Sequence, residues 1–187
     1  MNDSSAPDGA RLRLTFEAFC DIHERAWAGF ARTQVGAHHA AAELVVADMK
    51  QHLLRNWAFA LRQEIPAAYA WRLLKEHIGS WLDTQSQPAA VQTAAMDAVI
   101  ADFCRRARWS LENLPEQIGL LSAILGLPER QRDIMILTHC LDLDDDEAAA
   151  YLGTPTATLR SNRRHARRRL AAAIGRPDLA DREKETR

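Results

Sequence analysis

LPERQRDIMILTHCLDLDDDEAAAYLGTPTATLRSNRRHARRRLAAAIG, from Leu127 to Gly175, is the stretch whose reading decides the fold. Its punctuation is helical. Asp144 stands where an N-cap is needed, and Glu147 three residues later can close a capping box. Gly153 ends that helix where a left-handed residue costs least, and Thr154-Pro155 opens the next, with proline fixing φ. The spacing predicts helices over Glu129 to Cys140, Asp145 to Leu152 and Thr156 to Ile174. Two short helices, a tight turn and an arginine-loaded third helix are the layout of a helix-turn-helix reader of DNA.

Acid and base are segregated within this stretch. Five of the seven residues from Asp142 to Ala148 are acidic, whereas Leu159 to Arg176 holds seven arginines and no acid. From Leu159 onward, Ala166, Leu170, Ala173 and Ile174 fall on one side of a helical wheel. Arg160, Ser161, Arg164, Arg167 and Arg168 fall on the other. The competing reading is a surface helix whose arginines are only solvated, but a solvated face normally mixes signs. A one-sign face is the electrostatic footprint expected for contact with phosphates.

Outward from this stretch, the N-terminal half also reads as helix. Thr15 can cap a helix through Val35, with Phe16, Phe19, Ile22, Trp27 and Phe30 as an apolar stripe. A second helix is expected from His38 to Trp57, with Leu44, Val45, Met49, Leu53 and Trp57 on its apolar face. AFALRQEIP interrupts, and Pro66 suits the first turn of a third helix through Leu82. β-Branched alternation is absent, so no strand is expected. TQSQPAA, Thr84 to Ala90, is polar and carries proline, and so marks a boundary. Beyond it, Val91 to Trp109 and Pro115 to Leu125 are helical in pattern. Arg105, Arg106 and Arg108 form a basic cluster that a solvated linker face would explain.

The whole chain narrows the function class. Its 187 residues have room for one ordinary domain or two small ones. The formal net charge of −1 conceals the C-terminal basic helix; Arg11 to Gln85 carries nine basic and eight acidic side chains. No apolar run approaches the roughly 18 residues of a membrane span, and MNDSSAPDGA lacks the basic and apolar segments of a signal peptide. Cys20, Cys104 and Cys140 lie far apart without a CxxC spacing, which suits a reducing cytoplasm. His38-His39 and His139-Cys140 lack a second ligand pair at zinc-site spacing, so no metal is expected. Neither a glycine-rich phosphate loop, a nucleophile motif nor a catalytic carboxylate pair is present. The expectation is a protein that is not an enzyme, with no cofactor and no small-molecule substrate.

LPERQRDIMIL, LDLDDDEAAAYLG and TPTATLRSNRRHARRRLA together resemble region 4 of bacterial sigma factors of the sigma-70 type, extracytoplasmic-function (ECF) group. The matching residues are Leu127, Pro128, Arg130, Gln131, Arg132, Gly153 and the run Thr158 to Ser161. The first half resembles region 2 of the same group. FEAFCDIHERAWAGFAR is similar to its opening helix and AAELVVADMKQHLLRNW to the segment that holds core RNA polymerase. PAAYAWRLLKEHIGSWLD is similar to the segment that captures the melted −10 element. The implied fold is all-α, in two small helical domains joined by a linker. The expected division is a disordered leader over 1–10, a region 2-like domain over 11–83 and a partly helical linker over 84–112. A region 4-like domain over 113–176 and a charged tail over 177–187 complete it.

The resemblance implies a protein that binds core RNA polymerase and promoter DNA and directs initiation. Arg160, Ser161, Arg164 and His165 would read the −35 element in the major groove, because an arginine fork matches guanine O6 and N7 together. Arg167, Arg168 and Arg169 would hold phosphates, which set register without specifying sequence. Arg62, Tyr69, Trp71, Arg72 and Lys75 are the candidates for the melted −10 strand, where bases need an aromatic platform and nearby positive charge. For the two aromatics, helix core is the alternative. Glu43, Leu44 and Asp48 would contact the polymerase, and an anti-sigma factor is a further possible partner. Packing of the two halves on each other in the free protein, covering DNA surfaces, is also implied by the resemblance.

The departures keep other readings open. Val46 and Ala47 stand where the group carries Gln and an acid, Glu76 where it carries Asn, and Asp83-Thr84 where a basic run should follow. Carboxylates close to a phosphate chain repel it. Arg163 occupies a position that is usually apolar. A sigma-like regulator that binds DNA or polymerase without initiating, and a helical module that holds an anti-sigma partner, are the alternatives.

Overall fold

The computed structural model describes residues 5–35, 39–85, 123–124 and 126–175. Among them every regular element is helical and there is no strand, as the sequence predicts. The elements are α1 (Ser5–Val35), α2 (His39–Arg55), a single turn α3 (Trp57–Ala60) and α4 (Pro66–Gln85). They are followed by α5 (Glu129–Met135), α6 (Asp145–Leu152) and α7 (Thr156–Ala173). The expected helix over Val91 to Trp109, nearly all of that over Pro115 to Leu125, the arginine cluster at 105–108 and the tail from 177 lie outside the described residues.

Several boundaries differ from the expectation for local reasons. α1 begins at Ser5, inside the stretch expected as a leader, so Thr15 is not its cap. The Thr15 hydroxyl instead donates back to the Leu12 carbonyl at 2.8 Å and accepts the Trp57 indole N–H at 3.0 Å, joining α1 to α3. A hydroxyl that returns to its own helix backbone is a familiar mid-helix alternative to capping. The helix expected over Glu129 to Cys140 is α-helical only to Met135, and Ile136–Cys140 is a π-helical turn. Asp142 then takes a left-handed φ of 58°, which a short polar side chain tolerates.

The N-terminal half packs as a bundle of α1, α2 and α4. Trp27, Met49, Leu53 and Leu74 are fully buried within it, and Phe30 meets Trp71 at 4.4 Å between ring centroids. Two expected core positions point outward: Ile22 is 72 % exposed and Leu44 is 64 % exposed. A helical wheel identifies an apolar stripe but not the width of it that neighbours cover.

The C-terminal helices extend this core. A single buried cluster runs from Phe16 through Trp71 to Tyr151, Leu159 and Leu170. α6 lies against α4 and the π turn against α1. Tyr151 is the principal link. Its ring meets Trp71 at 5.2 Å, and its hydroxyl lies 2.6 Å from His23 Nδ1. Burial lowers the His23 pKa against an opposing pull from Glu147, which favours the neutral imidazole in this contact. Gly29 gives the close approach its room, since a Cβ there would stand 2.6 Å from Leu141 Cδ2.

Candidate nucleic-acid interface

α6 and α7 form the helix-turn-helix, and the sequence signals that predict it act as expected. The Asp144 carboxylate accepts the amides of Asp146 at 2.9 Å and Glu147 at 2.8 Å. Glu147 returns the capping box by accepting the Asp144 amide at 3.1 Å. Gly153, at φ 57°, ends α6 in the left-handed region, and a side chain there would also press on Ala68 of α4. Pro155, at φ −59°, leads into α7. Leu159, Ala166, Leu170 and Ala171 are the buried face of α7 against α5 and α6, whereas Ala173, expected on that side, is exposed.

The opposite face of α7 is turned to solvent. Ser161, Arg164, His165 and Arg168 are exposed and form no ion pair with another described residue. Arg164 and Arg168 are one turn apart and so share a face. The four other arginines of the helix are engaged. Arg167 is half-buried and has a partner of its own. Arg169 donates to Gln131 Oε1 at 3.2 Å, which ties α7 to α5. Arg160 donates through Nε to Asp145 Oδ2 at 2.6 Å, and Arg163 donates to both oxygens of the same carboxylate. Burial alone would raise the Asp145 carboxyl, but the hydrogen bonds from Arg160 and Arg163 outweigh it and hold its pKa below the usual range. Arg163 therefore stands at its position as half of a paired charge, a role that only the packing of α6 on α7 reveals.

The candidates for strand capture sit differently. Arg62 and Arg72 are exposed and Tyr69 is half-buried, its ring 5.6 Å from Phe59. Trp71 is 2 % exposed between Phe30 and Tyr151; it is a core side chain in this arrangement, the alternative its spacing left open. Lys75 donates to Asp133 Oδ2 at 2.7 Å and also to Glu129, so its charge is spent on α5. Burial opposes the ammonium, yet the two carboxylates raise its pKa and keep it charged. Glu129 is lowered by the same bond, while Asp133 is raised because its burial outweighs Lys75. The shared geometry supports an ionised triad, with Asp133 the member that gives up charge first. Arg72, Lys75 and Glu76 line one side of a cleft of about 620 Å³, and Glu129, Arg130 and Asp133 line the other.

On α2, Glu43 and Asp48 are exposed beside Leu44, and the ion-pair contact of Glu43 among the described residues is Arg32 at 3.8 Å. Val46, standing where a polar residue was expected, is buried at 4 %. No cluster of metal-ligating side chains exists among the described residues, and none of their helices is long and apolar enough to cross a membrane.

Residues 118–170 match the family described as sigma-70, region 4. No curated protein and no solved structure matches the chain.

Proposed function

With a sigma-70-type region 4 at 118–170 as its premise, we propose that this chain is an ECF-type sigma factor. It binds core RNA polymerase and directs it to promoters, with α7 reading the −35 element. The observation that carries this reading is the solvent-facing row Ser161, Arg164, His165 and Arg168 on the second helix of a correctly capped helix-turn-helix. Cations on one helix face neutralise phosphates, and an arginine near the helix start reaches base edges in the major groove. Arg160 and Arg164 take the readout role, with Ser161 and His165 beside them, and Arg168 the role of a phosphate contact. The cytoplasm is the expected compartment, and an anti-sigma factor the expected regulator.

Two observations favour the second reading, a regulator that does not initiate. Trp71 is buried and Lys75 is ion-paired across to α5, so capture of a melted strand by α4 requires the two halves to separate. Run-off transcription with purified core polymerase on a genomic promoter library distinguishes the two. Discrete transcripts that depend on this protein support the sigma reading. Binding of DNA or polymerase without transcripts replaces it with the regulator.

The polymerase surface carries its own prediction. Glu43 and Asp48 are one helical turn and a residue apart on the exposed side of α2, with Leu44 64 % exposed between them. Reversing both charges to Lys is expected to reduce co-purification with core polymerase severalfold, since like-for-unlike charge at an interface slows association and weakens the complex. Undiminished co-purification moves the interface off α2.

A further inference from the structure

The Asp145 carboxylate is placed where it governs how Arg160 meets a base. We propose that Asp145 is a positioning residue for sequence readout: it holds Arg160 by Nε and so presents the two terminal amino groups of that guanidinium as a pre-aimed fork for guanine. The inference rests on the reading of α7 as a DNA-recognition helix and adds to it the residue that sets its specificity.

The geometry supports this in three ways. Nε is the Arg160 nitrogen engaged by a described residue, at 2.6 Å from Asp145 Oδ2, and the side chain remains 58 % exposed. The edge of the guanidinium that carries Nη1 and Nη2 is therefore unspent, and that edge matches guanine O6 and N7. Second, Asp145 is itself fixed. Its side chain is 18 % exposed, it stands in the first turn of α6, and the adjacent Asp146 accepts the Thr156 hydroxyl of α7 at 2.6 Å. A long arginine held in this way loses less conformational freedom on binding than a free one. Third, the charge is balanced. A lone carboxylate beside DNA would repel phosphate, but Arg163, 19 % exposed, donates to both Asp145 oxygens. One acid and two arginines leave a net positive charge, and the exposed member of the trio is Arg160.

The test uses the full chain and a duplex that it selects from a random-sequence pool. Each guanine of that duplex is replaced in turn by 7-deazaguanine, which lacks the N7 acceptor. Wild type should show one guanine at which the replacement weakens binding about tenfold, and Arg160→Lys, which keeps the charge but not the fork, should abolish that effect. Asp145→Asn should also abolish most of it, while binding a scrambled duplex as well as or better than wild type, since a negative charge is gone. In an Arg160→Lys background, Asp145→Asn should cost no further discrimination. A merely structural role would weaken both duplexes together, and a competitor role would tighten both with discrimination kept; either result overturns the proposal. Arg163→Met gives an independent arm should Asp145→Asn fail to fold. It unbalances Asp145 and should weaken binding to both duplexes while retaining the guanine effect, and loss of that effect would overturn the proposal. If wild type selects no duplex, with core polymerase present or absent, it is the DNA-reading function that fails.

Discussion

Lys75→Met is expected to cost about 3 kcal/mol of folding stability, the lower end of the range for breaking a buried ion pair. The lower end applies because Lys75 is 27 % exposed, while the Asp133 side chain is only 6 % exposed. The cost arises less from the lost attraction than from the carboxylate left behind. Asp133 would remain buried with Glu129 nearby and only the weaker pull of Arg132 to offset its charge, and its pKa, already raised by burial, would rise further. A folded pKa above the unfolded value means that the penalty is full at neutral pH and declines as pH falls through the folded pKa. The variant should therefore recover part of its loss in mild acid, and Asp133→Asn in the same background should recover part of it at pH 7. Urea unfolding of the three proteins at two pH values measures this. A loss below about 0.5 kcal/mol would place the pair with ordinary surface pairs and remove the main polar tie between α4 and α5.

Arg160→Ala and Arg168→Ala should fail in different ways. Arg160 stands near the start of α7, where base edges are within reach, and its loss should weaken a preferred duplex roughly tenfold to a hundredfold and relax choice at one base pair. Arg168 continues the exposed face two turns on, where the proposed role is a phosphate contact. Its loss should weaken preferred and scrambled duplexes alike and reduce the slope of log K against log salt by about 0.9, one counterion-releasing contact fewer. Equal losses by both variants on both duplexes would mean that α7 holds only the backbone of DNA.

The helix-turn-helix was legible because its signals are local. Asp144, Glu147, Gly153 and Pro155 act within a few residues of where they stand, and each makes the contact or dihedral its spacing implies. What was not legible depends on neighbours distant in the chain. Lys75 and Asp133 are 58 residues apart, and nothing in either segment marks the other as a partner. The same applies to His23 and Tyr151, separated by 128 residues. Trp71 could be read as core or as a base platform, and its packing between Phe30 of α1 and Tyr151 of α6 assigns it to the core in this arrangement.

The candidate site was legible in outline and incomplete in its partners. The arginine face of α7 follows from helical period alone, but the period treats Arg160, Arg164 and Arg168 as equivalent. Packing separates them, since Asp145 engages Arg160 and leaves the other two to solvent. One signal could have pointed to it: Arg163 at a position usually apolar, with an acidic run fifteen to twenty residues before it. The exposure of Ile22 and Leu44 illustrates the opposite limit, where a stripe read from the wheel is wider than the surface that neighbours cover.

The occlusion implied by resemblance falls unevenly. Packing of the two halves covers Trp71 and engages Lys75, on the side proposed to capture a melted strand. The exposed row of α7 lies away from that contact. The packing leaves the row Ser161, Arg164, His165 and Arg168 open to solvent while it buries Trp71 and pairs Lys75; under the proposed function, separation of the halves would complete the second site.

The measurement that bears most directly on DNA reading by α7 is equilibrium binding of the full chain to a duplex it has selected and to a scrambled duplex, across a series of salt concentrations, with and without core polymerase. The expected result is tighter binding of the selected duplex at every salt concentration, with log K falling linearly with log salt on both. Equal affinity for the two duplexes, or binding to neither even with polymerase present, would contradict it.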